Sequence, residues 1–560
     1  MDAPAAPGPL ARLSEEIAAA GAAVGDGAGA AAATLEVPPK PEMGDYSTNA
    51  AMLLAPGVGQ PPREVAERIK DELADRLAER ATKVEVAGPG FLNLHLADRW
   101  YREAVGSVLD AREAYGESTP AKPERVLVEF VSANPTGPLT AAGGRGAAFG
   151  DSLARLLEAS GHAVGREYLL NDVGGQVERF ATSIAARMRG EPVPDDGYSG
   201  EYVSELASEL AAQGISPDDL DGLARAGTEA RRVRIAATLE RFGIHFDTWF
   251  SERSLHEAGA IDGIVDELRA GAHAYESEGA VWLRSTEFGD DKDRVLVRAD
   301  GAPTYLAADI AYHRDKLRRG WERMIDPLGA DHHGYVPRMR AGLAALGADP
   351  DVYEAPIMQL VQIVEGGERA RMSKRKGQFV TLDELIDDIG VDAARFFMLQ
   401  RSHDTTLDLD LELARKASQD NPVYYVQYAH ARIASILRKA IAEAGTPSID
   451  PETPDSDAVR DQAAQDDALG TTAEPSERAL VRRLLELPRE VAEAASRRAP
   501  HRLCAYATAT AADFHAFYRD CQVVGTDPPV QAARLGLCVA TKAVLARTLG
   551  LVGVSAPERM

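Results

Sequence analysis

The stretch Arg125-Val126-Leu127-Val128-Glu129-Phe130-Val131-Ser132-Ala133-Asn134-Pro135-Thr136-Gly137-Pro138-Leu139-Thr140-Ala141-Ala142-Gly143-Gly144-Arg145-Gly146 decides the fold. Its first seven residues are an apolar, β-branched run that reads as a buried strand. Its proline- and glycine-rich centre reads as a turn. The following residues, Ala147 to Ala159, carry the apolar spacing of an amphipathic helix. Strand, glycine-rich turn and helix is the geometry that offers backbone N–H groups and a helix N-terminus to a phosphate. Alone the pattern is weak, because many glycine-rich turns bind nothing.

A second segment sharpens it: Gly366-Gly367-Glu368-Arg369-Ala370-Arg371-Met372-Ser373-Lys374-Arg375-Lys376-Gly377. By itself a Met-Ser-Lys run among basic residues is usually a solvated loop. Here it lies between a strand-like run, Ile357 to Val364, and the capping-box sequence Thr381-Leu382-Asp383-Glu384. The helix so opened is expected to break at Gly390. Asp392 is expected to cap the next helix, which carries Phe396 and Phe397 into the core.

Together the two segments resemble the ATP-binding motifs of class I aminoacyl-tRNA synthetases, and specifically of arginyl-tRNA synthetases. The resemblance implies an α/β catalytic domain with a Rossmann-type doubly wound parallel sheet over about 116–400, with a helical insertion at about 190–290. A small α/β domain precedes it over 1–115 and contacts tRNA in the family. It carries Pro41 to Ala50 and Val84 to Leu94. An all-α domain of the anticodon-binding type follows over 401–560, interrupted by a polar loop from Thr446 to Pro475.

Activating a carboxylate with ATP requires stabilising charge on the α-phosphate and on leaving pyrophosphate, work done by positioned donors and cations. The family supplies a histidine–glycine–histidine cluster and a lysine loop. In this chain Lys374 and Ser373 match the loop, Arg371 stands for a lysine, Met372 matches, and Lys376 adds charge. The first motif departs. Thr140 and Gly143 stand where the family has histidines, and Ala142 where it has the glycine that lies against adenine. Losing one preorganised donor costs about 10²–10³ in rate, and the effects of two need not add.

The resemblance assigns Glu129 and Asn134 to the amino and carboxylate end of arginine, and Tyr305 and Asp309, one helical turn apart, to its side chain. Their plain reading is a partly buried helix face. Gly329, Asp331 and His332, in Gly329-Ala330-Asp331-His332-His333-Gly334-Tyr335, are assigned with Ala142, Gly143 and Met372 to ATP. The paired histidines have no third ligand in view, so no protein-bound metal is expected. Asn171-Asp172-Val173-Gly174-Gly175-Gln176 is expected to line the cleft. Tyr424, Tyr425, Gln427 and Arg432, in Asn421-Pro422-Val423-Tyr424-Tyr425-Val426-Gln427-Tyr428-Ala429-His430-Ala431-Arg432, are assigned to unpaired tRNA bases. Without the family, tyrosines on a helix are more often core.

The remaining numbers set bounds. With 560 residues, 45% hydrophobic and 27% charged, the chain has room for several domains. No apolar run is long enough to span a bilayer. The opening Met1-Asp2-Ala3-Pro4 has no basic region ahead of an apolar core, so no signal peptide and a cytoplasmic chain are expected. The ending Ser555 to Met560 also matches the family, from which a complete chain is expected. A net charge of −25 excludes indiscriminate nucleic-acid binding but leaves room for local basic patches. Cys504, Cys521 and Cys538 form no CxxC pair and read as buried helix residues.

The resulting expectation is an arginine–tRNA ligase using L-arginine, ATP with Mg²⁺ and tRNA, as a monomer. Two other readings stay open. One is a repurposed paralogue that binds arginine in a specialised pathway without normal aminoacylation. The other is a non-catalytic arginine- or tRNA-binding regulator.

Overall fold

The computed structural model describes residues 8–25, 33–118, 120–369, 380–444 and 461–560. The N-terminal region packs helices α1 (Pro9–Val24), α2 (Ala50–Val58) and α3 (Pro62–Leu77) on a four-stranded antiparallel sheet. Its strands are β1 (Leu35–Glu36), β2 (Tyr46–Thr48), β3 (Ala81–Ala87) and β4 (Phe91–Leu96), in the order β1-β2-β4-β3. Helix α4 (Asp98–Ala111) leads out of it.

The catalytic region is built on a five-stranded, all-parallel sheet. Its strands are β5 (Arg125–Glu129), β6 (Ala163–Leu170), β7 (Thr248–Ser251), β11 (Arg323–Ile325) and β13 (Tyr353–Glu354). The spatial order is β13-β11-β5-β6-β7. Strand order therefore reverses between β5 and β11, the doubly wound arrangement whose switch point opens a crevice at the C-terminal strand ends. Helix α5 (Gly143–Ala159) crosses over from β5 to β6. Ile325 faces the core shared with α5, and Met324 faces the opposite core, so both faces of the sheet are covered.

The segment expected to be a helical insertion is divided. Helices α6 (Gly175–Arg189), α7 (Glu201–Ala212) and α8 (Leu220–Arg241) form the crossover from β6 to β7, with a core of their own. Strand β7 then belongs to the main sheet. After α9 (Glu252–Glu257) and α10 (Ala260–Ala270) comes a separate three-stranded antiparallel sheet of β8 (Ala274–Ser277), β9 (Ala280–Leu283) and β10 (Arg294–Val297). Short strands with polar outward faces, such as Glu276 and Ser277 opposite Val281 and Ala280, masked this sheet in the sequence.

Helix α11 (Tyr305–Arg318) precedes β11, and β12 (Leu328–Gly329) and α12 (Val336–Ala345) follow it. Beyond β13 come β14 (Ile357–Met358), β15 (Val361–Glu365), β16 (Glu368–Arg369), α13 (Leu382–Leu399), β17 (Leu407–Asp410) and α14 (Leu411–Ala414). Thr381 and Glu384 close the capping box of α13, and Gly390 interrupts that helix at φ 77°. Phe396 and Phe397 are buried. Asp392 bonds across the fold. Its carboxylate accepts from Gln427 Nε2 at 2.7 Å and from the Ser555 N–H at 2.9 Å, tying α13 to the C-terminal region.

The remaining chain is helical: α15 (Pro422–Ala444), α16 (Asp466–Leu469), α17 (Pro475–Leu485), α18 (Leu487–Ser496), α19 (His501–Asp520) and α20 (Pro528–Leu551). Helix α16 falls inside the stretch expected as a polar loop. The three cysteines are buried thiols. No described helix is long and apolar enough to cross a membrane.

Buried ion pairs join these regions. Arg102 of α4 donates to Glu477 of α17 at 3.1 Å and to the Thr472 carbonyl at 3.0 Å, locking the N-terminal region onto the helical one. Arg395 of α13, fully buried, donates to Asp151 of α5 at 2.5 Å and to the Phe242 and Val552 carbonyls at 3.0 Å each. Gly553, at φ +68°, leaves the space this guanidinium fills, for a Cβ there would stand 2.0 Å from it. Arg395→Met strips the donor from two buried carbonyls and leaves the buried Asp151 carboxylate with Arg155 at 2.8 Å. The variant is expected to lose about 3–5 kcal/mol in chemical denaturation, and an unchanged midpoint would show the tie to be idle.

Candidate functional site

The crevice at the β5/β11 switch point is lined first by the end of β5. There the backbone is strained: Val131 and Ser132 lie at φ 69° and 36°, costly for a β-branched residue above all. Phe130 is pressed onto Gly150 of α5, where a Cβ would meet its ring at 2.2 Å, so the chain must turn sharply away. Glu129 closes β5. Its Oε2 accepts from Lys316 Nζ at 2.6 Å and its Oε1 from the Ser132 hydroxyl at 2.8 Å. Each carboxylate oxygen thus has a partner inside the protein, which burial and these two donors explain. Glu129 thereby anchors the end of β5.

Beyond the strain, the chain reaches Asn134, which is exposed. Its Nδ2 donates to Gln176 Oε1 at 2.9 Å, and its Oδ1 accepts from Asn171 Nδ2 at 3.2 Å. The segment from Asn171 to Gln176 is thereby brought against the turn. Within that segment Asp172 accepts from the Ser251 hydroxyl at 2.6 Å and from the Arg253 N–H at 2.9 Å.

Those contacts fix Glu252, the first residue of α9, which the sequence reading missed. It makes no hydrogen bond among the described residues. Burial, then the charges of Asp309 and Asp172, push its carboxyl from the usual 4.5 to about 7. Asp309 belongs to α11 and takes a short hydrogen bond from the Tyr335 hydroxyl. Burial raises its pKa as well. Tyr305, one turn earlier on α11, is 75% exposed at the mouth. Three carboxylates from three elements therefore face one space, and one of them lacks a partner. Such a site takes a cation that offers several donors, a planar guanidinium above all. The only local signal for Glu252 was an acid at the end of the aromatic run Trp249-Phe250.

The altered turn is compact. The Gly143 N–H donates to the Thr140 carbonyl at 2.9 Å and to the Thr140 hydroxyl at 3.2 Å, in the turn that leads into α5. Ala142 sits at φ −62°, ψ −33°, an ordinary helical conformation. Gly143 is exposed, and a Cβ there would meet only the Thr140 hydroxyl, at 3.5 Å. Thr140 and Thr381 form a β-bridge, flanked by hydrogen bonds from Ala141 N–H to the Val380 carbonyl and from Leu382 N–H to the Leu139 carbonyl, both 2.9 Å. The start of α5 is thus clasped to the start of α13. Arg371, Met372, Ser373, Lys374 and Lys376 lie outside the described residues. Their upstream flank is the β15–β16 hairpin, turned by Gly366 and Gly367 at φ 61° and 78°.

Gly329 ends β12, and Asp331 and His332 lie in the exposed 3-10 turn that follows. Only Tyr335 of this segment reaches back to Asp309. Among the described residues no group of three His, Cys, Asp or Glu side chains could hold a metal ion.

On α15 the rings of Tyr424 and Tyr428 stack at 6.1 Å and 8°. Arg432 extends the row, 4.9 Å from both the Tyr428 and the Tyr518 rings. Tyr425 lies apart, 4.9 Å from His515. Tyr518, 40% exposed, was missed because it comes from α19. Gln427 differs from expectation. It is buried, and its amide nitrogen is spent on Asp392 and on the Ser555 carbonyl at 3.0 Å, so it holds helices together and cannot read a base.

Comparison with known proteins gives these observations a setting. Three family models match: the arginyl tRNA synthetase N terminal domain over residues 11–96, the class I (R) tRNA synthetase catalytic domain over 230–434, and the DALR anticodon binding domain over 426–560. The chain is 47% identical to an arginine–tRNA ligase of Frankia alni, covering 97% of this chain and 98% of that one. It is 46% identical to an arginine–tRNA ligase of Heliobacterium modesticaldum, covering 94% and 93%. Its fold is similar to that of Thermus thermophilus arginyl-tRNA synthetase, with a TM-score of 0.73 and 24% identity over 98% of this chain and 99% of that one. A cation-accepting crevice at the switch point and an aromatic ladder on the helical region thus stand on a chain that belongs to the arginyl-tRNA synthetase family.

Proposed function

We propose that this chain is an arginine–tRNA ligase that joins L-arginine to its tRNA through an ATP-derived arginyl-adenylate. The observation that carries the reading is the partnerless carboxylate of Glu252 beside Asp309 and Asp172. A guanidinium supplies the charge and the forked donors that this space lacks. Tyr305 and Asp309 take the arginine side chain. Asn134, with Glu129 anchoring the strand below it, takes the amino-acid end.

Arginine's carboxylate then faces the turn at Thr140 to Gly143, where ATP lies with its α-phosphorus open to attack. The carboxylate oxygen bonds to that phosphorus, the bond to the β-phosphate bridging oxygen breaks, and pyrophosphate leaves. Thr140 still has a hydroxyl proton to donate, Gly143 only backbone. Ala142, Gly329, Asp331, His332 and Met372 are the remaining ATP contacts. Lys374, Ser373 and Arg371 are the charge and donors for the phosphates, with Mg²⁺ accompanying the nucleotide. The tRNA 3′-end hydroxyl next attacks the carbonyl carbon and AMP departs. Tyr424, Tyr428, Arg432 and Tyr518 give unpaired bases a stacking face, with Tyr425 beside it. One chain carries every subsite, which supports action as a monomer.

Arginine-dependent ATP–pyrophosphate exchange, with and without arginine-accepting tRNA, tests the reading. Exchange is expected, together with a gain of about a hundredfold or more when Thr140→His, Ala142→Gly and Gly143→His are combined. Arginine binding with no exchange in either protein would overturn it in favour of a repurposed or regulatory protein.

Glu252 supplies a second test. Its raised pKa means that the ionised form costs stability. That cost is absent below the ordinary value of 4.5 and fully present above about 7. Glu252→Gln is therefore expected to raise the melting temperature at pH 8 while weakening arginine about tenfold or more. In the parent protein arginine affinity should fall as pH drops through about 7. A variant that binds arginine normally would remove Glu252 from the site.

A further inference from the structure

Four arginines of the described chain are buried: Arg102, Arg145, Arg231 and Arg395. Three have hydrogen-bond partners, although the Nε of Arg102 is buried without one. Arg102 and Arg395 have the carboxylate and carbonyl partners given above. Arg145 donates to the Gln359 carbonyl at 2.9 Å and the Ser402 carbonyl at 2.8 Å. Arg231, on α8 and 5% exposed, has no hydrogen bond or ion pair among the described residues, and its Nε is buried without an acceptor. Its one close partner is the Tyr202 ring, 5.4 Å from the guanidinium carbon.

A guanidinium carries five donors, and burying it unpaired is expensive. Burial, then the like charge of Arg234, hold Arg231 down at about 10, so it is still charged at neutral pH. The nearby acids do not relieve it. Asp383 is taken by the Thr238 hydroxyl at 2.6 Å and by Arg241 at 2.7 Å, and Glu205 is exposed.

The position of Arg231 names the missing partner. The Tyr202 hydroxyl donates to the Thr136 carbonyl at 3.0 Å, and it would stand 3.3 Å from a Cβ on Gly137. Thr136 and Gly137 lead into the altered turn. Asp383 lies two residues beyond Thr381, which is bridged to Thr140. Arg231 is thus bracketed by the two segments that converge on the nucleotide. We infer that Arg231 is a phosphate-binding residue of this site, supplying donors and charge to phosphate oxygens beside a turn that has no imidazoles. The inference rests on the ligase reading for the identity of the phosphate, which is the pyrophosphate portion of ATP. A backbone phosphate of tRNA has the same chemistry.

Titration of magnesium pyrophosphate into the full chain and into Arg231→Met and Arg231→Lys tests this without requiring turnover. Arg231→Met is expected to weaken pyrophosphate ~10–100-fold, to leave arginine binding unchanged, and to keep or raise the melting temperature, because an unpaired buried cation is removed. Arg231→Lys should recover part of the affinity. If pyrophosphate binding holds but tRNA affinity falls, with a salt slope lower by about one, the phosphate role stands and its source is tRNA. Parental affinity for both ligands, or a lower melting temperature with unchanged affinities, would overturn the assignment and leave Arg231 a packing residue. Pyrophosphate binding through Arg231 with no exchange in either the parent or the protein with the restored turn would sink the ligase reading alone.

Discussion

Lys316 is the residue on which the crevice depends. Its ammonium is wholly buried and lies 2.6 Å from Glu129 Oε2 and 3.2 Å from each oxygen of Asp326. Burial alone would push it towards neutrality, but Asp326 and Glu129 outweigh burial and keep it charged. The pattern repeats along α11. Tyr312 donates to Glu167 at 2.7 Å, and His313 Nε2 meets Asp326 at 2.8 Å. Glu129 ends β5, Glu167 lies in β6, and Asp326 follows β11. Three acids at or just beyond neighbouring strands are thus met by Tyr312, His313 and Lys316, which span little more than one turn of α11. Breaking such a buried set leaves uncompensated charge, at about 3–5 kcal/mol. A parallel sheet needs a helix over its face, but packing alone would let that helix slide. The ionic contacts fix its register, and so fix where Asp309 and Tyr305 stand.

Against this saturated background two groups are conspicuous for what they lack. Glu252 is an acid without a donor, and Arg231 is a cation without an acceptor. Asp172 and Asp309 crowd Glu252, whereas Tyr202 leads from Arg231 to Thr136. Glu252 without a donor and Arg231 without an acceptor are each held at a cost in stability. A cationic amino acid at Glu252 and an anionic phosphate at Arg231 would repay both. The charge complement of the cleft thus matches arginine and a polyphosphate together, where a site for either alone would need only one of the two groups.

The fold was legible because its signals are local. The apolar run of β5, the glycine-rich turn and the capping box at Thr381 each specify their structure within a few residues. The turn's altered chemistry was equally plain. Tertiary coincidence was not. Glu252 becomes an acceptor only because Asp172, from another loop, pins the start of α9. Tyr518 joins Tyr428 only because α15 and α19 pack side by side. Gln427 looked like a base reader beside its tyrosines, yet it sits on the inward stripe of α15 and is consumed by Asp392. The antiparallel sheet β8–β10 was lost to sequence reading because four-residue strands carry too few alternations to stand out from polar loops.

The geometry of the altered turn bears on what its substitutions mean. Replacing a glycine that needed positive φ would have distorted the backbone, but Ala142 occupies an ordinary helical conformation. The Thr140 hydroxyl accepts the Gly143 N–H, so the first amide of α5 has a side-chain partner. The clasp from Leu139 and Ala141 to Val380 and Leu382 uses backbone groups alone and is indifferent to side chains. Thr140, Ala142 and Gly143 therefore fit the backbone of the turn without distorting it. Gly143 is open, a Cβ there meeting only the Thr140 hydroxyl, and under the proposed reading the phosphates rely on Thr140, on Arg231 and on the lysine segment. A site with fewer fixed donors relies more heavily on charge, and its rate should respond more steeply to ionic strength than that of a relative with both imidazoles in place.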